Sequence, residues 1–311
     1  MVEAIFLCCT TLPGYLTSGL QEDYLKRLRR IAPFAYIKTL TRSAGGRPLV
    51  AVQLGCGCTK VLLTAAHHAN ESITGTLVWE LLIKYCRAIR CGGVFGGKNA
   101  RALWQNSMLY CVPLVNPDGA DLVAGEISGS SAEYMQAARI AAQYPAVPFP
   151  SGWKANLRGV DLNLNYPAAW ETAKQIKAAR GFDRPAPRDY PGSRPLDQPE
   201  TAALAAYTAC IRPDILLAYH TQGRVIYPGG GAIDPPGAQA LAQRFSAVSG
   251  YAVEEVPPES SSAGFKDWFL RRFHRPGFTI EAGFGENPID IAQLPALLAE
   301  NEPLLAAALG V

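Results

Sequence analysis

A short apolar run, residues 61–66, ends abruptly in two histidines, His67 and His68, and a carboxylate follows at Glu71. Runs of this kind and length are typical of buried strands. In layered α/β sheets, functional side chains collect where strands end. A turn after this strand lets His68 and Glu71 reach one metal ion, because imidazole and carboxylate groups are both common ligands. The pair alone is weak evidence for a metal site, and it becomes strong only if other strand ends supply a third ligand and a catalytic carboxylate.

The composition of the 311-residue chain indicates a globular α/β protein, with 49% hydrophobic and 18% charged residues. The net charge of +3 is too small to predict nucleic-acid binding. No apolar run approaches the roughly 20 residues that a membrane helix needs. Residues 1–9 lack a basic start and contain an early acid, so they do not resemble a secretory signal. We therefore expect a cytoplasmic protein, with an extracellular location as the open alternative.

The eight cysteines agree with a reducing compartment. Four lie within or beside apolar segments, where reduced and buried thiols are common: Cys86, Cys91, Cys111 and Cys210. The Cys56-Gly57-Cys58 sequence is a weak candidate for a metal pair, because zinc sites usually place at least two residues between their cysteines.

Apolar periodicity predicts a series of alternating strands and helices. Strands are predicted at residues 36–41, 48–54, 61–66, 107–115, 214–219 and 278–280. Helices are predicted at residues 20–31, 74–89, 133–143, 197–211 and 291–309, the fourth opened by a capping pair of Asp197 and Glu200. Residues 116–119 read as a turn and residues 181–195 as a long loop bordering a site. This order predicts a layered α/β fold with a parallel or mixed sheet.

Two further strand ends complete a possible zinc site. His220 follows one strand and Glu281 another. A hydrolytic zinc needs three protein ligands and an open position, which His68, Glu71 and His220 supply. Glu281, a carboxylate outside the ligand set, suits proton transfer. His67 is the competing ligand, although the spacing to Glu71 favours His68. A histidine such as His220, taken alone, is more often a core or loop histidine than a metal ligand. His274, beside three arginines, reads as a surface residue.

Five segments in chain order resemble the M14-type zinc metallocarboxypeptidases. They are residues 68–71 (His-Ala-Asn-Glu), 115–119 (Val-Asn-Pro-Asp-Gly), 159–166 (Gly-Val-Asp-Leu-Asn-Leu-Asn-Tyr), 218–223 (Ala-Tyr-His-Thr-Gln-Gly) and 279–281 (Thr-Ile-Glu). The resemblance implies a three-layer α/β/α fold with a mixed central β-sheet. It also implies one zinc ion on His68, Glu71 and His220, with Glu281 as general base and acid.

A subgroup, the bacterial γ-D-glutamyl-meso-diaminopimelate peptidases, is similar in additional segments. These are residues 153–163, 199–201, 220–223 and 264–269. The similarity implies hydrolysis of the amide between D-Glu and diaminopimelate in peptidoglycan stem peptides. Many secreted members carry LysM repeats. This chain has no room for one, so we expect a single catalytic domain over residues 1–311, with the family core at about 20–309.

Departures from the carboxypeptidase pattern concern the substrate contacts. Leu164 stands where the family has an arginine that binds a terminal carboxylate, and an aliphatic side chain cannot form that pair. Lys266 corresponds to the position that sets side-chain preference. It is either a cation at the pocket base, suited to the distal carboxylate of diaminopimelate, or a solvated helix lysine. The loop tyrosine of the family is missing, and residues 259–262 (Glu-Ser-Ser-Ser) occupy that loop.

The resemblance also suggests roles in catalysis. Arg158 is expected to polarise the scissile carbonyl and stabilise the oxyanion, because its charge is permanent, with Lys154 as the competing candidate. Asn163 is expected to hydrogen-bond the substrate.

Three alternatives remain open at this stage: a metallocarboxypeptidase of other specificity, an aspartoacylase-like zinc amidohydrolase, and a non-catalytic peptidoglycan-peptide binder. Leu164 argues against the first, the order of the five segments against the second, and the intact ligands with Glu281 against the third.

Overall fold

The computed structural model describes residues 14–230, 233–256 and 262–311. The strands are β1 (Tyr36–Arg42), β2 (Pro48–Gly55), β3 (Thr59–Thr64), β4 (Val94–Phe95), β5 (Lys98–Asn99), β6 (Ser107–Val112), β7 (Ile215–His220), β8 (Val225–Pro228), β9 (Ala252–Val253) and β10 (Gly277–Glu281). The α-helices are α1 (Ser18–Ile31), α2 (Ile73–Cys91), α3 (Ala100–Asn106), α4 (Pro117–Val123), α5 (Ala132–Ala141), α6 (Trp170–Ala179), α7 (Pro199–Ile211), α8 (Ala238–Ser249), α9 (Phe265–Phe273) and α10 (Leu294–Leu309).

Within the described residues, eight strands form one mixed sheet in the order β1-β2-β6-β3-β7-β10-β8-β9. The central strands β6, β3, β7 and β10 are mutually parallel, and β2 and β8 flank them in antiparallel pairing. The predicted mixed sheet is confirmed. Because the central strands are parallel, their carboxyl ends meet at one edge, where α/β sheets bind ligands.

Helices cover both faces of the sheet, as the predicted three-layer architecture requires. Alternate residues of β3 enter different cores, because side chains alternate across a strand. Val61 and Leu63 pack in a core that includes residues of α1, α2 and α10, whereas Leu62 packs in a core that includes residues of α7 and α9. Each fully buried side chain of this size contributes about 1.5–3 kcal/mol. Both faces therefore hold the central strand in place.

The core that contains Leu62 lies on the face of the sheet to which two of the predicted site residues, His220 and Glu281, also point. In β7, Leu216 belongs to this core, and His220, an even number of positions later, has the same orientation. In β10, Phe278 and Ile280 face the opposite core, so Glu281 points to the side of His220.

Two local predictions were wrong. Residues 116–119 are not a free turn, because the Asn116 side chain accepts a hydrogen bond from Gly119 N (3.0 Å) and caps α4, which Pro117 opens. Helix α7 has no side-chain cap. Asp197 instead accepts hydrogen bonds from Ser193 N (2.8 Å) and Asn165 Nδ2 (2.9 Å), so it organises the preceding loop.

The cysteines follow the prediction in part. Cys86 and Cys111 are buried, but Cys91 and Cys210 are exposed, because both lie at or near helix ends on the solvent side. Cys56 and Cys58 are exposed free thiols. None of the helices in the described ranges is long and apolar enough to cross a membrane.

Candidate active site and metal centre

Three side chains that could ligate one metal converge beyond the ends of β3 and β7. Glu71, in a short 3-10 helix after β3, lies between two imidazoles. Its Oε1 is 2.9 Å from Nδ1 of His68, and its Oε2 is 2.9 Å from Nδ1 of His220. The candidate ligand atoms all lie within 4.8 Å of one another. Two imidazoles and one carboxylate are a donor set of catalytic zinc, with a position left for water or substrate.

The charges of this group favour binding a cation. Burial by itself raises the pKa of Glu71, but the charges of His68 and Lys154 and the hydrogen bond with His220 outweigh it and hold that pKa well below its usual range. Burial lowers the pKa of His68, yet the charge of Glu71 dominates and raises it to about 9. The carboxylate is therefore ionised, and a metal would displace the His68 proton that now neutralises it.

Asp161 orients His68 from the side away from Glu71. Its Oδ1 lies 3.3 Å from Nε2 of His68, which leaves Nδ1 directed at the ligand group. Burial opposes ionisation of Asp161, but the charge and hydrogen bond of His68 hold its pKa well below the usual range. Carboxylates of this kind fix the tautomer and ring orientation of a metal-binding histidine. The sequence interpretation missed Asp161, although it stands in the 159–166 segment.

Two asparagines that the sequence interpretation also missed support the ligand loops. Asn116 Nδ2 donates to the carbonyl oxygens of His67 (3.2 Å) and Ala155 (3.0 Å), so it joins two chain segments. Asn287 Nδ2 donates to Glu71 Oε1 (3.3 Å). Buried side-chain amides after strand ends are the signal that would have found Asn116.

His67 lies apart from the ligand group. Its Nε2 is 3.2 Å from the hydroxyl of Tyr166 in a fully buried position. The structure agrees with the choice of His68 over His67. His274 ends α9 at an exposed position, as predicted.

Glu281 ends β10 directly beside His220, its register partner in β7. It lines the same cavity as the three ligands. Burial, reinforced by the charge of Glu71, raises the pKa of Glu281 to about 8. A carboxyl group with a pKa near neutral is suited to exchange protons in both directions.

The cavity that joins these groups has a volume of about 310 Å³. Four cations line it together with the acidic residues: Lys154, Lys177, Arg188 and Lys266. Lys154 Nζ lies 3.0 Å from Glu71 Oε1, close to the ligand group. Five carboxylates line the cavity as well, so its charge is mixed, and cations stand at separate points of its wall where carboxylates of a substrate could bind.

The remaining predicted residues divide between the cavity and the surface. Asn163 and Leu164 line the cavity. Lys266 also lines it and is only 6% exposed, so the alternative of a solvated helix lysine is wrong. Arg158 is exposed and is not among the described residues that line the cavity. The structure therefore brings Lys154, and not Arg158, to the ligands. Residues 259–261 of the predicted loop lie outside the described residues.

Comparison with known proteins agrees with this geometry. A family model described as zinc carboxypeptidase, peptidase M14, matches residues 21–296. The chain belongs to the M14 zinc carboxypeptidase family. Family membership and the His-Glu-His group together make it a zinc metallopeptidase, a hydrolase with one possible zinc site.

Relatives include the gamma-D-glutamyl-L-diamino acid endopeptidase 1 of Lysinibacillus sphaericus, which is 38% identical over 92% of this chain and 70% of its own length. The uncharacterized protein YqgT of Bacillus subtilis (strain 168) is 35% identical over 93% of this chain and 75% of its own length. The relatives support the subgroup predicted from the sequence.

Among solved structures, bovine thrombin-activatable fibrinolysis inhibitor in complex with tick carboxypeptidase inhibitor superimposes with a TM-score of 0.69. It covers 96% of this chain and 97% of its own, at 14% identity. At this identity the likeness concerns the fold alone.

Proposed function

We propose that this metallopeptidase hydrolyses the amide bond between γ-D-glutamate and diaminopimelate in peptidoglycan stem peptides. The observation that carries the proposal is the cavity in which a metal-ligand group and Glu281 lie among four cations, while Leu164 occupies the position of the carboxypeptidase arginine. The name of the Lysinibacillus relative supports the γ-D-glutamyl linkage and a diamino acid after it.

His68, Glu71 and His220 would hold the zinc ion, which would supply a Lewis acid for the amide carbonyl and for water. Glu281 accepts a proton as the water oxygen bonds to the carbonyl carbon. The carbon–nitrogen bond then breaks, and Glu281 returns the proton to the departing amine nitrogen. The second proton of the water passes from the new carboxyl group to the same nitrogen, so the products are a γ-carboxylate on D-Glu and an ammonium group on diaminopimelate.

Lys154 is proposed to stabilise the negative charge that develops on the carbonyl oxygen. Its ammonium group lies beside Glu71 and lines the cavity, whereas Arg158 faces solvent. One of its three N–H donors is used by Glu71, which leaves others for the substrate. A fixed cation next to the reacting carbonyl stabilises the transition state more than the ground state.

Lys266 and Asn163 are proposed to contact the substrate beyond the reacting bond. Lys266 lies 3.4 Å from Asp267 and donates to the carbonyl oxygen of Gly229. Burial lowers the pKa of Lys266, although Asp267 opposes that shift, so the cation is held in a position that water solvates poorly. A carboxylate of the substrate would compensate it. The distal carboxylate of diaminopimelate meets that need, and lysine does not.

Mass spectrometry of the products from synthetic stem peptides tests this function. The zinc-loaded protein is incubated with L-Ala-γ-D-Glu-diaminopimelate, its D-Ala-extended tetrapeptide, the lysine analogue and hippuryl amino acids. We expect L-Ala-D-Glu as a product from both diaminopimelate peptides, slower cleavage of the lysine peptide and none with a chelator. Release of D-Ala from the tetrapeptide, with the bond between D-Glu and diaminopimelate left intact, would instead identify an ordinary carboxypeptidase.

We propose a cytoplasmic setting for this activity. The cysteines within the described residues are free thiols, as expected in a reducing compartment: Cys56, Cys58, Cys86, Cys91, Cys111 and Cys210. Cell fractionation of the source organism with an antibody against the protein tests the location. Recovery mainly from the culture medium or the wall fraction would contradict it.

A further inference from the structure

Arg188 is one of the four cations that line the cavity, but no particular contact with the substrate has been assigned to it so far. It is the single arginine among the described lining residues. The three lysines that line the cavity each have a partner: Lys154 pairs with Glu71, Lys177 with Asp189 and Lys266 with Asp267. Arg188 differs from them, because only one nitrogen of its guanidinium, Nε, donates a hydrogen bond among the described residues.

The guanidinium of Arg188 has free hydrogen-bond donors. Its Nε donates to Asp189 Oδ2 at 2.6 Å, and the side chain is 42% exposed. Neither Nη group donates to another side chain or carbonyl in the described ranges. Because a guanidinium presents its N–H groups in a planar fork, the two Nη groups remain available to a carboxylate.

The loop that carries Arg188 is anchored to the catalytic residues. Asp189 N donates to Asp161 Oδ2 (3.2 Å), and Asp161 in turn contacts His68. Pro187 O accepts hydrogen bonds from Lys154 N (2.8 Å) and from Ala155 N (2.9 Å). Arg188 is therefore placed relative to the metal ligands by backbone contacts on both of its sides, which preorganises it for binding.

The conformation of Asp189 shows how strongly this arrangement is held. Its φ is +66°, in the left-handed region that side chains other than glycine rarely adopt. Its carboxylate meanwhile bridges Lys177 and Arg188. Contacts on both the backbone and the side chain compensate the strained φ and aim the guanidinium.

We propose that Arg188 is a specificity residue that binds a carboxylate of the substrate close to the scissile amide. The inference rests on the proposed function and names how its substrate is recognised. Leu164 cannot form a bidentate pair, and Arg188 is the group in the cavity that can. Two substrate carboxylates have the required chemistry: the free α-carboxylate of the γ-linked D-Glu, and the α-carboxylate of diaminopimelate beside the amide nitrogen.

Steady-state kinetics with three matched peptides tests the assignment. The first is L-Ala-γ-D-Glu-diaminopimelate, the second carries D-isoglutamine in place of D-Glu, and the third has the diaminopimelate α-carboxylate amidated. Each is assayed with the wild-type protein and with Arg188→Met and Arg188→Lys. Arg184→Met is the control, because Arg184 belongs to the same loop but is exposed and pairs with Asp183. Zinc content and circular dichroism establish that each variant is folded and loaded.

For the first peptide we expect Arg188→Met to lower kcat/KM about 10–100-fold, Arg188→Lys to recover part of the loss, and Arg184→Met to match the wild type. The loss of kcat/KM caused by Arg188→Met should nearly vanish with the amidated peptide that lacks the bound carboxylate. The peptide that shows this result therefore identifies that carboxylate. An equal loss on all three peptides, or no loss on the first, would overturn the role of Arg188 while leaving the proposed function intact. If the zinc-loaded wild type cleaves none of the stem peptides, the proposed function falls and the assignment falls with it.

Discussion

Glu281 and His220 are register partners at the ends of two adjacent parallel strands, β10 and β7. A predicted metal ligand and a predicted general base are thus set side by side by backbone hydrogen bonds. Glu71 reaches the same point from the loop after β3 and bonds His220 through Oε2. The geometry of the site consequently depends on the pairing of the central strands, of which β7 is buried along its whole length.

Replacing Glu281 by Gln should abolish turnover while zinc remains bound. The amide keeps the size of the side chain but cannot accept the proton of water, so we expect kcat to fall about 10²–10⁴-fold. Elemental analysis after dialysis should still find one zinc per chain. A variant with near-native kcat would exclude Glu281 as the base.

The same substitution should change how the stability of the metal-free protein depends on pH. The pKa of Glu281 is raised to about 8 by burial and the charge of Glu71, from the usual 4.5, so ionisation destabilises the folded state. Below pH 4.5 Glu281 is protonated in both the folded and the unfolded state, so it does not lower the free energy of unfolding. As the pH rises from 4.5 to 8, the unfolded state ionises more readily than the folded state, and the free energy of unfolding falls. Urea unfolding with chelator should therefore find Glu281→Gln more stable relative to the wild type at pH 9 than at pH 5. An equal difference at both pH values would contradict the burial of this charge.

Zinc affinity should rise with pH. The pKa of His68 in the metal-free protein is raised to about 9, so a proton must leave before Nδ1 can bind a metal. We expect the apparent affinity to increase up to about tenfold per pH unit from pH 6 towards 9, then level off. Competition with a chromophoric chelator measures it. A flat profile over this range would show that His68 is already neutral.

Removing the carboxylate behind His68 should weaken zinc binding without removing a ligand. Asp161→Asn keeps the shape of the side chain but loses the charge that holds Nε2 of His68. Substitutions of this kind cost about 10–100-fold in metal affinity. His220→Ala, which removes a ligand, is the reference for full loss. If Asp161→Asn binds zinc as tightly as the wild type, the contact has no orienting role.

Lys154 and Arg158 should differ sharply when each is changed to Met. Lys154 lies at the ligand group, so Lys154→Met should lower kcat about 10²–10³-fold, as loss of an oxyanion donor does. Arg158 is exposed outside the cavity, and Arg158→Met should leave kcat within a few fold of the wild type. The reverse pattern would restore the role first expected for Arg158.

The sequence interpretation and the structure disagree mainly where loops are involved. Strand ends could be read from apolar runs, because strand periodicity is a local property of the chain. The positions of Lys154 and Arg158 could not be separated in this way. They are four residues apart in irregular chain, and the backbone path decides which of them faces the cavity. Asn116 likewise reads as a turn residue, because its contacts with His67 and Ala155 are distant in sequence.

By itself, the sequence determined a layered α/β architecture and predicted the metal group of His68, Glu71 and His220 and the candidate base Glu281, because all four residues stand at or just after strands with clear apolar patterns. Only the tertiary structure decided the surroundings of that set. Asp161 behind His68, the choice of Lys154 and the direction of Arg188 follow from loop contacts between segments far apart in the chain. Such contacts depend on how the sheet places the strand ends and loops relative to one another, so no local pattern encodes them.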